Sequence, residues 1–296
     1  MNDMHVSEAL EAYIARTALA PKTKADYAGF ARHLARYIGS ATVEDLETVK
    51  LRHLFGTEMP SDGLGATTIR RCFVLLRRVL EVAVQDGVLS RNPAAGIRVA
   101  APIQREPMFP TVAEIRRVAQ ECDRHRLLVE VLGMSGMRIG EAIALRVEDY
   151  HAARGTLTIS RSATEVEGRL FVGPTKNRQA RTIPVVASLR EPLVHAVAHG
   201  SRDELLFTAD KGGWVRPGNL RRRVFIPAAR RAGLAGLRLH DLRHGFAVNA
   251  LRAGWNLHEV SRCLGHSSVA FTADLYLPRV PAIDSAKLEA LDALTA

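Results

Sequence analysis

Apolar positions recur at helical spacing through the first hundred residues and turn to strand-like alternation only once, between Gly155 and Val186. From Val6 to about Val99 no stretch alternates. Leu10, Tyr13 and Ile14 share one face of a first helix that Ser7 is placed to cap and that runs to roughly Leu19. Pro21 interrupts, and Thr23-x-x-Asp26 reads as a capping box for a second helix carrying Tyr27, Phe30, Leu34 and Ile38. Thr42 is the candidate cap of a short third helix bearing Val43, Leu46, Leu51 and Leu54. A fourth helix is predicted from about Ala66 to Gln85. At ~100° per residue its Ile69, Cys72, Phe73, Leu76, Val79, Leu80, Ala83 and Val84 fall on one half of the wheel. Arg70, Arg71, Arg77 and Arg78 fall on the other half.

Asp86-Gly87 ends that helix, and the proline-bearing stretch from Val99 to Pro110 has no amphipathic period, as expected of a linker. Beyond it, Thr111-x-x-Glu114 is a capping box that opens a helix, and another spans about Arg124 to Leu132. In G-M-S-G-M-R-I-G-E, Gly133 and Gly136 mark a turn and Arg138 stands near a helix start. Strands are predicted at Gly155–Ser160, Gly168–Gly173 and Arg181–Val186, the last at an edge because of Pro184. Lys176 sits on the turn before it. Helices follow over Leu189–Ala198, with Pro192 tolerable only in the first turn, and over Leu220–Ala232, split at Pro227. His240 and Arg243 share the face of a further helix. Gly265 ends a helix over Leu257–Leu264, a short helix carries Thr272 and Tyr276, and a last apolar edge runs through Ser285–Leu294. The fold class is therefore mainly α with a small antiparallel β-sheet: an all-helical domain over 1–99, a linker over 100–110, and an α+β domain over 111–296.

Charge adds a partner. Lys and Arg number 41 against 31 Asp and Glu, a formal net charge of +10 that favours a polyanion such as nucleic acid. On the fourth helix four arginines share their arc with one acid, Glu81. A solvated face is the plainer reading, and contact with the DNA backbone is the functional one. Arg221, Arg222 and Arg223 raise the same question. The three cysteines form no CxxC pair and fit buried apolar positions in a reducing compartment. The N-terminus lacks a signal pattern and no apolar run approaches ~18 residues, so a cytoplasmic protein without membrane contact is expected. No phosphate-loop GxxxxGK[ST] and no zinc-spaced Cys/His set is present, and no cofactor or metal is expected.

Five separated motifs then carry a resemblance: G-M-R-I-G-E at 136–141, T-K-N at 175–177, H-D-L-R-H at 240–244, L-G-H-S at 264–267, and Tyr276 ten residues beyond His266. In this order the chain resembles the tyrosine recombinase (phage integrase) family from about Thr111 to Pro278. The N-terminal helices match the family's core-DNA-binding domain by architecture only. The resemblance implies that Arg138, Lys176, His240, Arg243, His266 and Tyr276 are catalytic, with Tyr276 the nucleophile and Glu141 holding the site. Alone, Arg138 reads more plainly as an ion-pair partner of Glu141 or Glu148, and Lys176 as a solvated turn residue. Pro278 stands where many relatives have a histidine. The few residues ahead of the first helix imply a simple recombinase without an arm-binding domain.

That chemistry explains the residue types. Arg138 and Arg243 would clamp the nonbridging oxygens of a phosphodiester in its pentavalent transition state, with a hydrogen bond from His266. His240 is the candidate base or hydrogen-bond partner, and Lys176 the acid for the leaving 5′-oxygen. The product would be a 3′-phosphotyrosine that keeps the bond energy, so rejoining needs neither ATP nor metal. The implied function is site-specific recombination of double-stranded DNA, by a homotetramer on two duplexes. The segment after Tyr276 is the candidate contact between neighbours. A type IB topoisomerase would use much the same chemistry on one duplex, and a non-catalytic DNA-binding protein would need neither the tyrosine nor the acid.

Overall fold

A computed structural model of the chain describes residues 4–103, 105–175, 179–280, 289 and 293. Two compact units result, Met1–Arg105 and Glu106–Ala296.

The first unit is built on the Ala66–Gln85 helix. Ile69, Cys72, Phe73, Leu75, Leu76, Val79, Leu80 and Ala83 are its buried stripe, and they join Leu10, Leu34, Leu51 and Phe55 in one apolar core. Phe55 meets Phe73 edge to face at 5.2 Å. Cutting Leu80 back to alanine in so closed a core costs about 2–5 kcal/mol. Three start signals act differently from expectation. The first helix, Val6–Arg16, begins ahead of Ser7, whose hydroxyl donates instead to the Gly39 carbonyl at 3.0 Å. Pro21 opens the second helix, Pro21–Ile38, because a missing N–H costs nothing in a first turn. Thr23 thus lies inside the helix, beside the Lys22–Asp26 pair. Thr42 accepts from the Asp45 amide at 3.3 Å and closes a turn, while the third helix begins at Thr48.

In the second unit, Thr111 and Glu114 form the expected reciprocal cap of Val112–Gln120, an arrangement that contributes about 1 kcal/mol. Glu106 to Pro110, expected within the linker, belong to this unit. Met108 and Phe109 pack on its core, and the Pro110 carbonyl accepts from Asn249 at 3.0 Å. Among the described residues five short strands follow: β1 Tyr150–His151, β2 Thr156–Ile159, β3 Arg161–Val166, β4 Arg169–Pro174 and β5 Arg181–Pro184. β1, β2 and β5 form an antiparallel sheet in that order, with Leu157 opposite Ile183 and Pro184 on the edge strand. β3 and β4 form a separate hairpin, closed by Glu167 and Gly168, both at positive φ. β3 escaped the sequence pattern because only Ala163 along it is buried.

The Ala187–Val197 helix starts earlier than expected, so Pro192 falls beyond the first turn; buried Leu189 and Leu193 hold it despite the lost backbone bond. Near Pro227 the chain runs as a wide turn over Leu220–Phe225 into Ile226–Arg231, with the proline in the first turn of the second piece. Three helices then carry the unit's polar centre: Leu239–Arg252, Leu257–Leu264 and Val269–Tyr276. The helix expected over 285–294 lies, apart from Glu289 and Ala293, outside the described residues. Among the described residues no helix is long and apolar enough to cross a membrane.

Candidate active site

The site begins at a turn that only glycine fits. Gly136 ends the Arg126–Ser135 helix at φ +65, and a Cβ there would meet Phe246 at 2.3 Å and Leu264 at 2.7 Å. Its carbonyl accepts from Arg243 Nη1 at 2.6 Å. Two residues on, Arg138 stands at the N-cap position of the four-residue helix Ile139–Ala142.

Glu141 on that helix is 1% exposed and saturated. Its Oε2 accepts from the Arg138 amide at 2.8 Å and from Arg181 Nη2 at 2.6 Å; its Oε1 accepts from Arg138 Nη1 at 3.0 Å and Arg181 Nη1 at 3.1 Å. Those bonds occupy the lone-pair sites of a carboxylate. Burial by itself would raise the Glu141 carboxyl, but the hydrogen bond and charge of Arg181, then the contacts of Arg138, outweigh it and hold the group below its ordinary value. Arg138 is thus both an ion-pair partner of Glu141 and a wall residue of a cavity of about 430 Å³, shared with Thr175, Gln179, Arg181, Arg262 and His266.

Arg181 is one residue that sequence reasoning passed over here, and His244, below, is another. Besides both oxygens of Glu141, Arg181 donates from Nε to the Cys263 carbonyl at 2.9 Å, tying the edge strand to the helix that precedes His266. Its only signal was a position at the start of a strand. Lys176 lies outside the described residues; Thr175, whose hydroxyl donates to the Gln179 carbonyl at 2.7 Å, and Gln179 both line the cavity.

The Leu239–Arg252 helix carries the next group of candidates, none of which lines that cavity. Asp241 accepts from the Arg238 amide at 2.9 Å and from Arg238 Nη2 at 2.8 Å at its start, and spacing places His240, Arg243 and His244 on one face. Arg243 is 3% exposed. Burial first, then the charge of Arg138, pulls its pKa down to about 9, so it stays protonated at neutral pH. Its Nη2 is buried without a hydrogen-bond partner among the described residues. A buried cationic donor left unpaired is costly, and an anion is what would satisfy it.

His266 follows Gly265, which ends the Leu257–Leu264 helix at φ +65. Its Nδ1 lies 2.8 Å from the hydroxyl of Thr272, and burial, then Arg243 and Arg138, lower its pKa to about 4. One turn beyond Thr272, Tyr276 closes the set at the end of its helix. It is 1% exposed, and burial raises its phenol to about 12 against the opposing charges of Arg243 and Arg138. The phenol's hydrogen-bond partner is not His240. It is His244, whose Nδ1 lies 3.0 Å from the hydroxyl. His240 is exposed, lines a second cavity with Arg138 beside β3, and presents its ring edge to His244 at 4.9 Å. Desolvation and then Arg243 lower its pKa.

The match to the Phage integrase family model runs over residues 111–279 and so takes in the whole of this constellation. The chain belongs to the phage integrase family. It is a site-specific DNA recombinase of the tyrosine type. It is similar to a tyrosine recombinase XerC-like protein of Caldanaerobacter subterraneus subsp. tengcongensis, at 24% identity over 95% of this chain and 80% of that one. Its fold is like that of the Tn1549 transposon integrase in complex with a circular intermediate DNA, with a TM-score of 0.82 at 17% identity over 98% and 99% of the two chains. It is also like that of a lambda integrase tetramer bound to a Holliday junction, with a TM-score of 0.71 at 19% identity over 96% and 80%.

In this recombinase the arginines of the two basic stretches are exposed where Arg243 is buried. Arg70, Arg71, Arg77 and Arg78 are all exposed; Arg78 donates to the Tyr27 hydroxyl and Arg71 lies over the Phe30 ring at 5.9 Å. Arg70 and Arg77 form no ion pair among the described residues. Arg221, Arg222 and Arg223 are exposed too, whereas Arg231 in the same basic run is bound to Glu121 at 2.6 Å.

Proposed function

We propose that this recombinase cleaves double-stranded DNA by attack of Tyr276 on a phosphodiester, holds the strand as a 3′-phosphotyrosine, and rejoins it to a partner 5′-hydroxyl. The observation that carries this reading is the unpartnered, buried Nη2 of Arg243 in the same cluster as the buried phenol of Tyr276. Arg243 and Arg138 supply two guanidinium groups to the nonbridging oxygens, where charge grows in the transition state. His266, oriented by Thr272, adds a neutral hydrogen bond. His240 meets the phosphate from the side of the second cavity, and Lys176 is assigned as acid to the leaving 5′-oxygen. Glu141 and Arg181 keep Arg138 in place.

The exposed arginines at 70, 71, 77, 78 and 221–223 would neutralise DNA phosphates without reading bases. The lambda integrase tetramer on a junction supports a tetramer on two duplexes as the working assembly. The net charge of +10 fits a DNA-associated, cytoplasmic protein.

The test uses a pool of nicked duplexes of randomised sequence, from which covalently captured DNA is recovered and sequenced. Captured strands bound through Tyr276, and lost with Tyr276→Phe, are expected. An adduct that persists in Tyr276→Phe would sink the assignment.

A further inference from the structure

His244 has no part in the scheme above, yet it is the side chain that touches the nucleophile. Its Nδ1 stands 3.0 Å from the Tyr276 hydroxyl, and both side chains are buried. The ring is clamped on three sides. Phe109 meets it edge-on at 6.0 Å, His240 at 4.9 Å, and the Tyr276 ring at 5.8 Å. A buried hydroxyl needs a partner, and the direction of that partner fixes where the oxygen's lone pairs point.

We propose that His244, rather than His240, aligns the Tyr276 hydroxyl and takes its proton during cleavage, a role that rests on Tyr276 being the nucleophile. In the step, the Oη–H bond breaks and the proton passes to Nδ1. Tyr276 Oη bonds to phosphorus, and the bond from phosphorus to the 5′-oxygen breaks. The 5′-oxygen leaves with a proton from the general acid, the role assigned to Lys176. On rejoining, the imidazolium returns its proton to the phenol.

The surroundings suit this exchange. Burial, then His240, Arg243 and Arg238, hold the imidazole down at about 4 against the pull of Asp241, and His266 faces the same cluster. In the free protein the ring is therefore neutral at neutral pH. A phosphodiester bound by Arg243 and Arg138 offsets the cations that suppress its basicity, so the ring becomes a better base where DNA binds. His240 is the weaker candidate on geometry. It is exposed and meets His244 edge-on at 4.9 Å, while the phenol's hydrogen bond goes to His244.

The mechanism demands the tautomer with a bare Nδ1. Nitrogen NMR of His244 in the free protein is expected to show Nε2 protonated and Nδ1 unprotonated, and a protonated Nδ1 would overturn the proposal without any DNA present. The kinetic test uses a captured sequence from the randomised pool. His244→Leu is expected to slow adduct formation at saturating DNA by about 10²–10⁴-fold, the range of one general base, with half-site affinity unchanged. His244→Asn, which restores a hydrogen-bond acceptor but no base, should recover part of that loss and keep the fold if the leucine variant does not. Fluorotyrosine at position 276, a more acidic phenol, should narrow the gap between His244 and its variants, an effect that packing alone does not produce. Equal rates for wild type, His244→Leu and His244→Asn refute the proton role. So does a gap that fluorotyrosine leaves unchanged. An adduct that survives Tyr276→Phe would instead remove the nucleophile assignment itself.

Discussion

The arginines of the Ala66–Gln85 helix and those around Glu141 are the same residue type in opposite physical states. Arg70 and Arg77 are exposed, hydrated and free of ion pairs among the described residues. Arg243 is 3% exposed, bound on one side to the Gly136 carbonyl and unpaired on the other. Exposed cations attract phosphate through a screened field, and each contributes modestly. A buried cation has lost its water during folding, so its strength toward an anion is set in advance. Folding stability is thereby spent on a group whose partner arrives only with the substrate.

Replacing Arg243 with methionine, which keeps bulk and removes charge, tests that contrast most severely. Adduct formation is expected to fall by about 10²–10³-fold, while the melting temperature of the free protein holds or rises because an unpaired buried cation is gone. A strongly lowered melting temperature would show that Arg243 is a structural residue. Glu141→Gln probes the paired side of the cluster. Two guanidinium groups would then face each other across a neutral amide, and a stability loss of roughly 3 kcal/mol or more is expected in chemical denaturation. A loss within error would mean that Arg138 and Arg181 are held by other contacts.

The same carboxylate gives a pH signature. Its folded pKa lies below its ordinary value, so its contribution is fully present above about 4.5 and is lost as pH falls through the folded value. Acid unfolding of the wild type should therefore steepen below that point, and Glu141→Gln should flatten the curve. Parallel curves would discard the linkage. The smallest effect belongs to the exposed arginines. Arg70→Ala with Arg77→Ala should lower the dependence of DNA affinity on salt by about one unit of slope each and leave the cleavage rate at saturating DNA unchanged. A changed rate would break the division between the two classes.

Much of the site was legible because its chemistry is local to short motifs. The helix carrying His240 and Arg243, the glycine before His266 and the reciprocal cap at Thr111 and Glu114 are each written within a few neighbouring residues. The 66–85 helix was legible from its period, since an apolar stripe that long has one way to be buried. Where local signals competed, they misled. Ser7, Thr23 and Thr42 all have capping side chains, yet helix starts were decided by what each segment packs against, and Pro21 served as an opening residue rather than a break. Strand β3 was missed because it alternates too weakly to show a period.

The sequence by itself determined the class of chemistry, since residue types set which groups are always charged, which titrate and which can attack. It also determined the helical faces, because side-chain direction follows from backbone period alone. Tertiary structure decided the partners. Glu141 and Arg181 are 40 residues apart, and His244 and Tyr276 are 32 apart. His240 and His244 lie on the same face of one helix, and no local rule says which ring meets the phenol. The docking of the Val269–Tyr276 helix against that face brings the phenol to His244, because a buried hydroxyl must end on whichever polar atom the packing places within reach.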